Sequence, residues 1–149
     1  LVFFINSILR KAGIAIAFPE LRCTFGGRSI VPDIVVLEHK NIPKDDDGEI
    51  ANKVTTAPDW VIEILSPDQS TTKVIQNIIH CLDCGTQVGW LIDPAEKMIL
   101  IYQPDQQVQV VDILEDELIV PGFARFSLGE ATPTIKLTAG EIFNWLKVG

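Results

Sequence analysis

The fold is decided by the stretch Pro58-Asp59-Trp60-Val61-Ile62-Glu63-Ile64-Leu65-Ser66-Pro67. From Trp60 to Leu65 every residue except Glu63 is apolar, which predicts a strand over Asp59–Leu65 that is buried on both faces. The run Ser66-Pro67-Asp68-Gln69-Ser70 then supplies residues of the kinds that begin helices. A buried strand that leads into a helix predicts a sheet with helices packed against it.

The helix that follows is expected to end near Cys84, because Gly85 is a common helix terminator. One face of this helix is apolar and is expected to be buried: Val74, Ile75, Ile78, Ile79 and Leu82. Beyond it, the sequence predicts a buried strand over Val88–Ile92, a turn over Asp93–Glu96 and a hairpin partner over Met98–Gln103.

The rest of the chain predicts further strands and two more helices. These are helices over Leu1–Lys11 and Ala139–Lys147, strands over Ile14–Pro19, Leu21–Phe25 and Asp33–Glu38, weaker strands over Gln107–Asp112 and Glu117–Ile119, a turn at Gly26-Gly27, and a polar loop over His39–Pro58. This order predicts a single α/β (α+β) domain over residues 1–149, with a mixed central sheet flanked by helices. Leu1 opens a helix without Met or an N-cap, so we expect the natural protein to begin earlier.

The composition narrows the class of protein. The chain of 149 residues has 20 acidic and 12 basic residues, which argues against tight non-specific binding to nucleic acid but not against a metal site built from carboxylates. No apolar run approaches the ~18 residues of a membrane helix and no secretory leader is visible, so we expect no membrane partner. Three cysteines, an odd number, do not suggest a disulfide scaffold and favour a cytoplasmic location.

Two carboxylates interrupt apolar strands. Asp33 lies in Ile30-Val31-Pro32-Asp33-Ile34-Val35-Val36-Leu37, and Glu63 lies in the stretch quoted first. Burying an ionised carboxylate costs several kcal/mol unless a cation, a partner or a proton compensates. Two carboxylates on adjacent strands suit a hard divalent cation. In the alternative interpretation, Asp33 caps a strand end and Glu63 faces water.

The wider pattern resembles a known family. Pro32-Asp33 before a strand, Glu63 in the next strong strand and a helix after Ser66-Pro67 are similar to the skeleton of PD-(D/E)xK nuclease sites. Together with Gly85 and the run Gly89-Trp90-Leu91-Ile92-Asp93-Pro94, the stretch Pro58–Pro67 resembles the Uma-two family of bacterial putative restriction endonucleases. The resemblance covers roughly Ile30 to Tyr102 and implies a restriction-endonuclease-like fold.

The resemblance also implies a site. Asp33, Glu63 and the main-chain carbonyl of Ile64 would bind Mg²⁺, for which Mn²⁺ can substitute, and the metal would activate water against a phosphodiester. A lysine usually stabilises the transition state from two residues after the acid, but here Leu65 stands there. Members of the family tend to carry the lysine on the following helix, at a position that aligns with Asn77. Lys73 lies one helical turn earlier on the same face and is our candidate for the role; the alternative is a solvated first-turn lysine.

Other polar residues have structural interpretations. Asp93 before Pro94 is typical of a turn. Glu38 alternates to the face opposite Asp33, which makes it a poor ligand candidate, and nothing in the sequence shows that Glu20 approaches the site. Cys81 and Cys84 have CxxC spacing beside His80, but no second pair of ligands exists and the motif is at a helix end, so we expect inert packing.

Three functions are compatible with this pattern. The first is a Mg²⁺-dependent endonuclease acting on DNA, with Asp33, Glu63 and Lys73 as its catalytic residues. The second is a degenerate nuclease fold that acts as a nucleic-acid-binding or regulatory module, and the third is a hydrolase of another phosphate substrate. The net acidic charge disfavours DNA binding least if basic residues cluster at the site. The candidates for such a cluster are Arg22, Arg28, Lys40, Lys44, Lys53 and Lys73. Cutting both DNA strands would favour a two-fold homodimer.

Overall fold

Six strands form the central sheet of the protein, as a computed structural model of residues 1–50, 54–125 and 135–148 shows. The strand order is β1-β4-β5-β6-β7-β8, in which β5 and β6 are parallel and the other neighbours are antiparallel. Their bounds are β1 Ala15–Pro19, β4 Ile34–Glu38, β5 Trp60–Ile64, β6 Val88–Asp93, β7 Met98–Tyr102 and β8 Gln109–Val111. The strands β2 (Cys23–Phe25) and β3 (Arg28–Ile30) form a separate two-stranded hairpin. The expected α+β class with a mixed sheet is confirmed.

Within the described residues, α-helical and π-helical segments accompany the sheets. They are α1 Val2–Ile5, which continues as a π-helical turn over Asn6–Arg10, α2 Thr71–Asp83, α3 Gly122–Arg125 and α4 Ala139–Val148. The predicted helix over Leu1–Lys11 is therefore helical but not α-helical throughout. Its second half departs from α geometry. There the side chain of Asn6 accepts the main-chain N–H of Ala17 through its oxygen and donates to the carbonyl of Ala17 through its nitrogen.

Helix α2 makes the crossover between the parallel strands β5 and β6. It begins where the Ser70 hydroxyl accepts the Lys73 N–H, and it ends before Gly85, which has a φ of +121°. Val74, Ile78 and Cys81 are its buried residues. Gly89 of β6 lets the helix come close, since a Cβ there would lie 2.6 Å from Ile78 Cγ2.

The alternation of side chains along the strands separates two apolar cores. Even-numbered residues of β5, such as Trp60 and Ile62, pack in the larger core with α1 and α4. Odd-numbered residues, such as Val61, face a second core that α2 and the β2–β3 hairpin cover with Val74 and Ile30. Glu63 alternates to this second face, so α2 and the hairpin enclose the side of the sheet to which the site belongs.

One predicted strand is wrong, and one candidate basic residue lies outside the residues that the structure describes. Glu117–Ile119 is not a strand: Leu118 donates its N–H to the carbonyl of Leu137, and Glu117 and Thr138 form only an isolated bridge. The loop over His39–Pro58 contains a 3-10 turn at His39–Asn41. Lys53, one of the candidate basic residues, lies outside the described residues.

Candidate active site

Asp33 and Glu63 lie side by side at one end of the β4–β5 pair. Because Ile34 is opposite Ile62 in the antiparallel register, the next pair outward joins Asp33 to Glu63. Glu63 Oε1 accepts the main-chain N–H of Asp33 at 2.9 Å, and Asp33 Oδ2 accepts the main-chain N–H of Ile64 at 2.7 Å. Each carboxylate is thus held by the main chain of the other strand, which fixes both side chains without help from a cation.

Glu63 is buried, with 5 % of its surface exposed, while Asp33 is half-buried. Burial raises the pKa of Glu63 to about 7; the N–H of Asp33 opposes this effect, and the negative charge of Asp33 adds to it. A carboxylate buried beside another carboxylate is unfavourable without a compensating cation or proton. The alternative interpretation, in which Glu63 faces water, is wrong, because the side chain of Glu63 lies on the covered face of the sheet.

The donor set fits a hard divalent ion. The second oxygen of each carboxylate, Asp33 Oδ1 and Glu63 Oε2, has no hydrogen-bond partner among the described residues. No third His, Cys, Asp or Glu joins them in a cluster of metal-site size within the described ranges. Two carboxylates suffice for Mg²⁺, which keeps several waters and prefers oxygen ligands. The residues present therefore fit Mg²⁺ or Mn²⁺ better than a site that needs four protein ligands.

Lys73 is on the first turn of α2 and is exposed. Its main-chain N–H donates to Ser70 Oγ, but its ammonium group forms no ion pair within the parts of the chain that the structure describes, where Lys40 and Glu38 make the ion pair present. The structure therefore brings Asp33 and Glu63 together and leaves Lys73 outside hydrogen-bonding range of both. The catalytic role of Lys73 stays a prediction.

Asn77, the position at which the family resemblance places a lysine, has an arginine beside it. Arg28 Nη2 donates to Asn77 Oδ1 at 3.0 Å. Arg28 belongs to β3 and is 49 residues away in sequence, so the sequence pattern alone gave no sign of this contact. Among the basic candidates that the structure describes, Arg28 is the one that hydrogen-bonds a side chain on the face of α2 that Lys73 and Asn77 share.

The remaining polar candidates have structural contacts. Asp93 Oδ1 accepts the N–H of Glu96, as expected for a turn. Glu20, with a φ of +48°, donates its main-chain N–H to the carbonyl of Asp33, while its side chain is exposed. Glu38 pairs with Lys40 at 3.8 Å. None of these three side chains contacts the Asp33–Glu63 pair.

Of the two CxxC cysteines, Cys81 is the one that packs in the interior. Cys81 is buried and Cys84 exposed, and both are free thiols. Burial raises the pKa of Cys81 to about 12, which keeps it protonated and unreactive at neutral pH. His80 stacks on Phe25 with ring centroids 4.9 Å apart and hydrogen-bonds its carbonyl oxygen.

Sequence reasoning missed the buried Asp59. Its two carboxylate oxygens accept the N–H of Glu38 and the side-chain amide of Asn41, so it joins β4, the following 3-10 turn and β5. As the first residue of the strand predicted over Asp59–Leu65, it carried no sign of a special role. The role of Asp59 depends on its contacts with the antiparallel neighbour β4. The local sequence pattern does not show which strand is that neighbour.

A mixed sheet that holds two facing carboxylates beneath a crossover helix defines an α+β protein of the restriction-endonuclease-like kind. The comparison with known families agrees: Uma2, described as a putative restriction endonuclease family, matches residues 1–132. The chain belongs to the Uma2 family, so the resemblance inferred from the sequence is confirmed.

A solved structure gives the same fold. It is the crystal structure of a putative nuclease belonging to DUF820 from Anabaena variabilis ATCC 29413, which is 50% identical to this chain. The match covers 97% of this chain and 76% of that one, with a TM-score of 0.88. No curated protein matches the sequence. None of the helices in the described ranges has the length and apolar character needed to cross a bilayer.

Proposed function

We propose that this protein is a metal-dependent endonuclease that hydrolyses DNA phosphodiester bonds, with Mg²⁺ as its ion and Mn²⁺ as a substitute. The observation that carries the proposal is the pair of carboxylates, each bonded to the other's strand, with one oxygen of each lacking a hydrogen-bond partner in the part of the chain that the structure describes. Membership in a family of putative restriction endonucleases and the fold shared with a putative nuclease support the same reaction.

In this proposal Asp33, Glu63 and the carbonyl oxygen of Ile64 are the protein ligands. When bound there, Mg²⁺ supplies Lewis acidity for the attack of water and for the charge on the phosphate. The protein contributes preorganisation, because the main-chain N–H groups of Asp33 and Ile64 fix the carboxylates before the ion arrives. Binding of a cation also requires Glu63 to give up its proton, since only the ionised carboxylate is a ligand.

Lys73 is proposed as the cation that stabilises the phosphate in the transition state. Its flexible four-carbon side chain starts on the helix turn closest in sequence to the end of β5, and it is not held by an acidic partner in the described residues. An unpaired lysine is free to move toward a bound phosphate.

The second candidate is a degenerate nuclease fold that binds nucleic acid without cutting it. Two observations favour it: Leu65 stands where the strand lysine usually does, and Lys73 is exposed rather than directed at the carboxylates. Metal-dependent cleavage separates this candidate from the first one.

The test is nicking of supercoiled plasmid DNA with Mg²⁺ or Mn²⁺, by the wild type and by Asp33→Asn. The asparagine oxygen can still accept the Ile64 N–H, so the fold is kept while a charged ligand is lost. Asp68→Asn, which changes an exposed carboxylate after β5, is the matched control. We expect nicking by the wild type and by the control only. No metal-dependent nicking, or equal nicking by Asp33→Asn, would move the function to the binding module.

A further inference from the structure

We propose that Arg28, held in place by Asn77, is a binding residue for a phosphate of the DNA backbone, on the same face of the sheet as the two carboxylates. This inference rests on the proposed nuclease function and adds a contact that the two carboxylates and Lys73 do not supply. Arg28 lies in the β2–β3 hairpin and Asn77 on α2, and their 3.0 Å hydrogen bond joins the two elements that cover the carboxylate face of the sheet.

The electrostatics of Arg28 indicate a ligand rather than a structural ion pair. The chain has 20 acidic residues, yet the half-buried guanidinium has a neutral amide as its partner and makes no ion pair within the described residues. A guanidinium carries five donors, and the Asn77 bond uses one of them. An arginine that is oriented by an amide but keeps its charge unneutralised is prepared for an anion, and its planar fork matches phosphate oxygens.

The placement favours a phosphate along the same strand of DNA. Asn77 shares its helix face with Lys73, one turn closer to the start of α2. Beyond β3 the chain reaches Asp33 only three residues after Ile30, so the hairpin strand runs from the Arg28 contact toward the carboxylates. Arg28, through Asn77, and Lys73 therefore put two cations on one face of α2, where a DNA strand that enters the carboxylate site would meet both.

The hairpin provides a matched control. Arg22 donates its Nη1 to Ser29 Oγ at 3.0 Å, and Ser29 alternates to the side of β3 opposite Arg28. Arg22→Gln and Arg28→Gln thus remove the same charge from the same hairpin on opposite faces. Arg22 is exposed and has no contact with α2 among the described residues.

The first experiment measures binding of a fluorescent DNA duplex in EDTA, where no cleavage occurs, between about 50 and 200 mM salt. We expect Arg28→Gln to bind roughly tenfold more weakly at the lower salt, with a slope of log K against log salt smaller by about 0.9, the value for one lost phosphate contact. Arg22→Gln is expected to change the affinity less than about threefold, as for a charge outside the contact. In nicking assays Arg28→Gln should raise KM with little change in kcat, because the contact is made in ground and transition states alike.

A second variant separates phosphate binding from a role in stability. Asn77→Asp would pair with Arg28 and hold the hairpin at least as firmly, but it would neutralise the guanidinium. We expect its melting temperature to be unchanged or higher and its DNA affinity to fall as in Arg28→Gln. Gln76→Glu, on the exposed side of the same helix, adds the same charge as a control.

The outcomes are distinguishable from those of the nuclease proposal. If the wild type neither nicks nor binds DNA, the proposed function fails and this inference fails with it. If the wild type nicks, but Arg28→Gln matches Arg22→Gln in salt slope and KM, the phosphate contact alone is overturned. Normal DNA binding by a stable Asn77→Asp variant overturns it as well, since the guanidinium would then serve only to clamp the hairpin.

Discussion

At the scale of single residues, Glu63 links the site to the stability of the fold. Its pKa is about 7 in the folded protein against 4.5 for the free side chain, because burial disfavours the charge. The folded state therefore binds the Glu63 proton more tightly than the unfolded state does. The stability that this proton contributes is fully present below pH 4.5 and is lost as the pH rises through 7. Glu63→Gln stays neutral and keeps an oxygen for the Asp33 N–H. In EDTA, we expect it to be more stable than the wild type at pH 8, by up to about 3 kcal/mol, and nearly equal to it at pH 4.

Chemical denaturation at pH 4, 6 and 8 measures this difference. Glu96→Gln, which changes an exposed glutamate, is expected to leave the pH profile of the wild type unaltered. A Glu63→Gln profile parallel to that of the wild type would show that Glu63 ionises freely in the folded state, and the buried carboxylate would lose its link to stability.

Asp59 is also a buried carboxylate, but unlike Glu63 it accepts hydrogen bonds on both of its oxygens. Asp59→Ala leaves the Glu38 N–H and the Asn41 amide without their acceptor, and we expect a loss of about 1–3 kcal/mol in the free energy of unfolding. DNA nicking at a temperature where the variant is folded should persist, since Asp59 lies away from the Asp33–Glu63 end of the strands. Asp83→Ala on the exposed end of α2 is the stability control. Loss of nicking by folded Asp59→Ala would place Asp59 in the site instead.

The sequence around a residue indicated a functional role for some residues of this protein and not for others. Asp33 and Glu63 could be singled out from the sequence because each interrupts an apolar strand. A charge buried in such a strand is unfavourable without a compensating group, so its presence indicates a special role. Arg28 was only one of several basic candidates and Asp59 was not singled out, since the partners that define their roles lie 49 and 18–21 residues away. The contacts of Arg28 depend on how a small hairpin packs against a helix, and no periodicity encodes that packing.

At the scale of elements, the closeness of α2 to β6 depends on one glycine. A Cβ at Gly89 would lie 2.6 Å from Ile78 Cγ2 and 3.3 Å from Val61 Cγ1, so Gly89→Ala must push the helix or its side chains away. We expect a loss of about 1–3 kcal/mol in the free energy of unfolding, the usual cost of overpacking. Gly122→Ala is the control, because nothing lies within 4 Å of its added Cβ. A melting temperature for Gly89→Ala equal to that of Gly122→Ala would mean that α2 packs less tightly than the structure shows.

Elements with strong apolar patterns were predictable from the sequence, and weaker ones were not. The β5–α2–β6 crossover was expected with nearly correct bounds, since a buried strand, a capped amphipathic helix and a second buried strand follow one another. The Glu117–Ile119 segment has apolar residues, but among the described residues its pairing is limited to one isolated bridge between Glu117 and Thr138. The π-helical turn over Asn6–Arg10 occurs where Asn6 bonds the distant main chain of Ala17, and such a tertiary contact overrides local propensity.

At the scale of the whole molecule, the proposed metal site would couple ion binding to folding through the same two carboxylates. An ion that binds only the folded state raises the melting temperature, and here it must first displace the proton on Glu63. Because the pKa of Glu63 is about 7, the protonated form competes at pH 6 and hardly at all at pH 8. We therefore expect Mg²⁺ or Mn²⁺ to stabilise the wild type more at pH 8 than at pH 6, and chelation by EDTA to reverse the gain. Asp33→Asn should remove the gain at both pH values, while Asp68→Asn should keep it. An equal gain at both pH values would show that the ion binds elsewhere, because a net charge of −8 attracts divalent cations to many exposed carboxylates without regard to Glu63.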